Sequence, residues 1–430
     1  MIDRRFTLFW LGQTLSGFGD AFALVALPLL ALEATGSVST MGLISASGVL
    51  AEVVTCLVSG TLVDRADRRR IMIACDVGRA AVYGVVPLWW ALVGPSLPLL
   101  YVVAIVGGAL GNTFSVAHMT AIPALVPTDR LHSANARLQG SFAFSYVIGT
   151  MTAGAVSAIT GPAWALLVDA ATFLASVATL AGIRFDRLPA AAPSAQSGPP
   201  ASPTSTSGAA PPNPRTARRR DEPRFGAGAR FVARHPLLRA ITVLMIILGL
   251  TSNIGIGAGV TDLMIFHLKH ELSLGHGVVG ACMATAALGA VLGAVSAPAT
   301  ARRIGPGPCL LVGTSVQALG LVTIGAIPSA AAAAAGGLLW GAGMMMRGIP
   351  VQSLRQSVVP HDLLGRVTAV SWVAVFGASA LGTAVVTRAA STAGASATLR
   401  AIGLLVGLVA FAAAFWPVVR RARHPSRANP

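Results

Sequence analysis

Twelve apolar segments, each roughly the length of a membrane-crossing helix, constrain this chain more than any other feature of its sequence. They occupy about 7–32, 40–63, 71–94, 98–122, 138–160 and 162–183, and after a break about 240–266, 276–299, 308–327, 329–352, 367–390 and 397–419. About 20 helical residues span the hydrocarbon core of a bilayer. A water-soluble chain needs about 25% charged residues to cover its surface. Here 430 residues carry 11% charged and 54% hydrophobic, with a mean hydropathy of +0.72. The reading is an all-α polytopic membrane protein of twelve transmembrane helices. Its first apolar run, Phe6 to Leu32, is too long for the core of a cleavable leader and reads as the first span.

The net charge of +16 could belong to a nucleic-acid binder, which gathers its basic residues on one solvated face with aromatics between them. In this chain they fall in short clusters between apolar runs, as the positive-inside rule describes. Placing both termini in the cytoplasm puts twenty-six arginines on that side and only Lys269, Arg388 and Arg400 on the other, with Arg79 and Arg347 inside or near spans. Four domains are expected: a six-helix bundle at 1–183, a cytoplasmic linker at 184–239, a second six-helix bundle at 240–420 and a basic tail at 421–430. The stretch from Pro189 to Pro214 holds eight prolines among Ala, Ser, Thr and Gly and cannot bury a core. Arg218-Arg219-Arg220 follows it as a solvated or headgroup-facing cluster. Cys56, Cys75, Cys282 and Cys309 are widely spaced, and no CxxC pair is present. They read as small buried hydrophobes, with neither a metal nor a disulfide expected. One lysine against thirty arginines points to a GC-rich bacterial source and hence a plasma-membrane location.

The halves are copies of one another. The gapless shift that places Gly42 on Gly275 also places Gly60 on Gly293 and Gly149-Thr150 on Gly382-Thr383. The run Val126 to Leu131 falls on Val359 to Leu364 with four of six residues identical. Two pseudo-symmetric six-helix bundles of this kind place a binding site at their interface near the midplane. Rocking one against the other exposes that site alternately to each side, so duplication argues for transport rather than catalysis.

After the second segment comes Gly60-Thr-Leu-Val-Asp64-Arg65-Ala-Asp67-Arg68-Arg69-Arg70. This resembles the G-x-x-x-D-R-x-G-R-R signature of the major facilitator superfamily, with Asp67 where the signature has glycine. Phe9 to Gln13, Gly19-Asp20, Ile122 to Val126 with Pro127, Asp169 to Phe173, Arg234 to Arg239 and Gly365-Arg366-Val367 are similar to stretches of its macrolide-efflux and siderophore-export branch. The resemblance covers both halves, fails only in the linker, and implies the major facilitator fold and export. It also implies that Gly60, Asp64, Arg65, Arg68 and Arg69 form a cytoplasmic gate latch. Gly60 would allow close helix approach, and Asp64 would pair with arginine or a helix N-terminus. Asp76 and Arg79, three residues apart, can pair on one helix face and are expected to join that latch. The second half has Ala297 where its acid would stand. The fifth-segment antiporter motif keeps its small residues at Gly149-Thr150 and Ala153-Gly154 but lacks the proline.

An ionisable group at membrane depth is a functional-site hypothesis by default. Asp20 and Glu52 lie near the middle of segments one and two, where a carboxyl can carry a proton; Asn253 occupies the repeat position of Asp20. Asn112, Asn253, Trp340 and Arg347 complete the proton or substrate candidates, although Arg347 also reads as a side chain snorkelling to the cytoplasmic edge. Asp169 reads as structural, His118 as buried, Asp262 as solvated, and His267, His270 and Glu271 as a solvated outer loop. No phosphate-binding loop or nucleophile elbow is present, so no cofactor and no enzymatic chemistry are expected. The expectation is a monomeric proton-coupled exporter of a small amphiphilic molecule of drug, antibiotic or siderophore type. The alternatives are a proton-coupled importer of a small solute, a membrane-embedded enzyme, or a membrane sensor or scaffold that transports nothing.

Overall fold

In the computed structural model every element is a helix among the described residues, which are 4–122, 125–126, 131–183, 224–252 and 259–420. The first half contains α1 (Arg4–Thr35), α2 (Val38–Arg65), α3 (Arg68–Leu92), α4 (Leu97–Ala121), α5 (Leu131–Thr160) and α6 (Pro162–Ala181). The second contains α7 (Arg224–Arg234), α8 (Pro236–Ser252), α9 (Val260–Phe266, continued by a π-turn at His267–Glu271), α10 (His276–Ile304), α11 (Pro306–Ala326), α12 (Ala330–Val358), α13 (His361–Ala393), α14 (Ala395–Ala414) and the short α15 (Pro417–Arg420). Among the described residues ten helices are long and apolar enough to cross a membrane. The α8–α9 pair and α12, which carries Arg347, occupy the places of the other two expected spans.

Short polar and glycine signals set the ends. Ser37, Asp67 and Ser329 cap α2, α3 and α12, each side chain accepting hydrogen bonds from backbone N–H groups of the first turn. These are orphan donors that a short oxygen-bearing side chain satisfies. The Asp67 carboxylate accepts from the Arg69 N–H at 2.8 Å and the Arg70 N–H at 3.3 Å, which accounts for an aspartate in place of the signature glycine. Between α5 and α6 the chain turns at Gly161 with φ +88°, and between α13 and α14 at Gly394 with φ +86°. These glycines fall on one another under the repeat, so the duplication extends to a left-handed turn that favours glycine.

Helix packing relies on small residues, as close backbone approach in a bilayer requires. Gly12 and Gly19 of α1 face Thr179 and Thr172 of α6, and Gly313, Gly320, Gly336 and Gly343 bring α11 and α12 together. Large apolar side chains such as Leu92, Ile159, Val385, Leu404 and Phe411 point outward, exposed, where lipid would cover them. Among the described residues the halves meet mainly through two helix pairs, α2 with α13 and α5 with α10. A Cβ added at Gly42 would fall within the Thr387 side chain, and one at Gly154 would stand 2.5 Å from the Cα of Gly280. Gly154 and Thr387 are again repeat equivalents. Both contacts lie toward the end of the molecule opposite the chain termini. There His276 of α10 places Nε2 3.0 Å from Glu33 of α1 and Nδ1 3.2 Å from the Ser157 carbonyl of α5.

Two expectations change. The seventh apolar segment, read as one span over 240–266, instead contains α8 ending at Ser252 and a separate α9 starting at Val260, with Gly259 at φ +64°. At that φ Gly259 stands outside a right-handed helix, and α9 begins at the next residue. The stretch read as linker through 239 already contains α7 and the start of α8, which meet at an angle of 103°. Gly228 of α7 rests against the Arg366 backbone of α13. The Pro-rich run and the Arg218 cluster lie outside the described residues.

Candidate functional site

Between the halves lies a cavity of about 430 Å³, walled largely by apolar and aromatic side chains that include Leu24, Met41, Tyr83, Phe142, Tyr146 and Phe376. Its charged lining is Asp20 of α1, Glu52 of α2 and Arg79 of α3. Arg79 sits with its guanidinium carbon 4.0 Å from the Phe173 ring centroid and 4.8 Å from that of Phe114. Its Nη2 donates to Asp76 Oδ1 at 2.6 Å and its Nη1 to Asp20 Oδ1 at 3.2 Å. The Asp20 side chain is 42% exposed, open to the cavity, whereas that of Asp76 is fully buried. Asp169 of α6, also 0% exposed, lies within electrostatic reach of Arg79, Asp20 and Asp76. Gly19 makes this possible, because a Cβ there would stand 2.6 Å from Asp169 Oδ1. One arginine therefore serves three carboxyls. Both Asp169 oxygens, Asp76 Oδ2 and Arg79 Nε have no hydrogen-bond partner among the described residues. Glu52, on the facing wall, has no ion pair or hydrogen-bond partner for its carboxyl among the described residues.

The expected site residues divide. Asp20, Glu52 and Arg79 come together on the cavity, and Arg79 pairs with Asp20 instead of belonging only to a loop network. Asn112 is directed to Thr55, its Nδ2 3.4 Å from that hydroxyl, and ties α4 to α2 beside the cavity. Asn253 and the Asp64 side chain lie outside the described residues. Gly60 is exposed, and among the described residues no atom lies within 4 Å of a Cβ placed there. Arg65 is exposed at the end of α2. Arg69 bonds within its own half, donating to the Leu180 carbonyl at 2.8 Å and the Ala181 carbonyl at 2.5 Å at the end of α6. A cation there complements the C-terminal end of the helix dipole.

Other readings are corrected by burial. Arg347 is 1% exposed, so it does not snorkel, and its Nε and Nη1 have no partner among the described residues. Asp262 is buried, not solvated; it accepts from the Ser45 hydroxyl and the Gly259 N–H, both at 3.1 Å, and so joins α9 to α2. The loop at His267–Glu271 is built rather than loose. His267 is buried with Nδ1 2.5 Å from Glu271, whose carboxylate accepts from the Ala395 N–H at 2.6 Å and the Ser396 N–H at 3.1 Å, capping α14. Burial works to raise the Glu271 carboxyl, but these hydrogen bonds outweigh it and hold the group below the usual carboxylate range.

Residues 9–383 match the Major Facilitator Superfamily. The chain belongs to it. This superfamily member is 28% identical over 177 residues to the multidrug efflux pump Tap of Mycolicibacterium fortuitum, covering 40% of this chain and 43% of that protein. It is 28% identical over 198 residues to macrolide efflux protein A of Streptococcus pyogenes, covering 43% and 45% of the two chains. The match to the enterobactin exporter EntS of Escherichia coli O1:K1 / APEC is 26% over 368 residues, covering 82% of this chain and 79% of the other. The chain thus spans less than half the length of the first two relatives and most of the third. In fold it is similar to the nucleoside transporter NupG, with a TM-score of 0.71 at 11% identity, covering 98% and 100% of the chains. It is also similar to a bacterial homologue of the iron transporter ferroportin in an inward-facing state, with a TM-score of 0.69 at 16% identity, covering 96% and 99%.

Sequence reasoning missed the aromatic wall and the polar bridges between halves. Phe142 and Tyr146 are four residues apart and stack on one face of α5, a spacing visible in the sequence. Nothing in the sequence joins Glu33 to His276 or Ser45 to Asp262, because the members of each pair belong to opposite halves of the chain.

Proposed function

We propose that this chain is a secondary active exporter of small amphiphilic molecules of drug, antibiotic or siderophore type, working by alternating access and coupled to protons. The observation that carries the reading is the cavity between the halves, where an apolar and aromatic wall faces Glu52 and the Asp20–Arg79 pair. Such a site suits an amphiphile, since apolar surface supplies affinity and a few placed polar groups supply orientation. The four-residue cluster holds two more carboxyls than cations, so its neutral form binds two protons. Asp20 is its member open to the cavity, and this supports a role in exchanging protons there. The similarity to named efflux proteins and an exporter supports the outward direction. With both termini and the basic loops in the cytoplasm, the end at which the halves touch is external and the cavity faces inward.

The test is efflux of rhodamine 6G from preloaded bacterial cells expressing the full chain. Export should depend on the proton gradient and collapse with an uncoupler. Asp20→Asn should slow it at least about tenfold, equivalent to ~1.4 kcal/mol of barrier, and Glu52→Gln should weaken handling of the cationic dye. Dye accumulation driven by an inward proton gradient would instead establish import. Unchanged, still proton-dependent efflux in both variants would remove these carboxyls from the mechanism.

A further inference from the structure

Beside the main cavity lies a chamber of about 10 Å³. Its wall includes Leu24 of α1, Tyr146 of α5, Thr261 of α9, Met283 of α10, and Trp340 and Met344 of α12. Leu24 and Tyr146 also line the large cavity, so the chamber adjoins it through their side chains. Three of these lining residues each carry a polar atom, Tyr146 Oη, Thr261 Oγ1 and Trp340 Nε1, that is buried with no hydrogen-bond partner among the described residues. Trp340 is only 4% exposed and Thr261 2%. Buried polar atoms in folded proteins are nearly always satisfied, and an orphan calls for a specific explanation. Three around one small chamber share one explanation.

Their chemistry narrows what could satisfy them. An indole N–H only donates, whereas phenol and threonine hydroxyls donate or accept. The common complement is an oxygen carrying lone pairs. Among the described residues no charged side chain lines the chamber, which disfavours an ion there, because a buried charge needs a charged or strongly hydrogen-bonding partner. The volume matches about one water-sized sphere, enough for a single oxygen and too little for a ring.

We propose that this chamber is a subsite for one neutral oxygen, a carbonyl or hydroxyl, of a transported molecule whose body occupies the main cavity. The subsite rests on the exporter reading and adds to it a preference for oxygen-bearing substrates. Leu24 and Tyr146 belong to the first six helices, and Thr261, Met283, Trp340 and Met344 to the second half. A bound oxygen therefore touches both halves and is released when they part.

The experiment uses the purified full chain in detergent and two dyes of equal charge, rhodamine 6G with its ester carbonyl and the analogue lacking the ester. Binding is read by fluorescence anisotropy. The wild-type chain should prefer the ester by about tenfold, the size of one net hydrogen bond in a buried site. Trp340→Phe, Tyr146→Phe and Thr261→Val each keep the side-chain volume and remove one polar atom. Each should cut the preference, read as the ratio of the two dyes' affinities in the same variant, at least threefold, and monodisperse elution identifies the variants that fold. Binding of both dyes with no preference, as a chamber that holds only water would give, overturns the subsite alone. So does a preference that persists in every folded variant. Failure of the wild-type chain to bind either dye removes the exporter reading and the subsite together.

Discussion

Arg79 is the residue on which the first half's buried charge depends. It pairs with Asp76 and Asp20 and sits between two phenyl rings, with Asp169 nearby. Removing one partner of a buried ion pair strands the other, at a cost of about 3–5 kcal/mol. Arg79→Ala should therefore lower the thermal stability of the purified protein steeply, while Asp20→Asn, at the open end of the cluster, should change it little. Glu271 belongs to a different setting. Its carboxylate caps α14, and losing such a cap costs about 1 kcal/mol, so Glu271→Ala should lower the melting temperature modestly. Because its folded-state value is depressed, its contribution is present above the ordinary carboxylate range and fades as pH falls through the lower folded value. The wild-type advantage over Glu271→Ala should thus shrink in acid, and an advantage independent of pH would refute the assignment. That Asp20 and Glu52 fall inside α1 and α2 was legible from segment counting alone. Their surroundings were not, since Arg79 reaches Asp20 across 59 positions of sequence and Asp169 comes from a third helix.

At the scale of helices, glycine spacing decides which pairs can touch. Gly154 of α5 and Gly280 of α10 meet backbone to backbone, so any side chain at either position must push the halves apart. Gly154→Leu should destabilise the protein by about 1–3 kcal/mol, as overpacking does, and slow dye efflux. By contrast, Gly60→Leu meets no atom of the described residues and should leave thermal stability near that of the wild-type chain. Segment boundaries were readable because lipid demands long apolar helices, and the turns at Gly161 and Gly394 obey the same internal repeat. The turn at Gly259 was readable in principle from a glycine just before Val260, but hydropathy alone carried the segment through as one span.

Taken whole, the molecule is two related bodies joined toward one end. The contacts Gly42–Thr387, Gly154–Gly280, Glu33–His276 and Ser45–Asp262 lie on that side of the cavity. In a chain whose Cys56, Cys75, Cys282 and Cys309 are replaced by serine, a short bis-methanethiosulfonate cross-linker should join Glu33→Cys to His276→Cys, where the two halves meet side chain to side chain. Dye efflux should then stop and return with dithiothreitol; transport that continues with the bridge intact would show that these helices need not separate. Duplication predicted two bodies, but not which end joins them, because the repeat relates the halves without setting their tilt. The charged groups on the cavity are unequally shared, as Asp20, Glu52 and Arg79 all come from the first body. Tilting that body moves the three through one common displacement and separates no opposite charges. A membrane voltage, worth ~2.3 kcal/mol per elementary charge per 100 mV, therefore acts on their sum alone, and the electrical signature of a turnover reports how many protons and substrate charges that body carries.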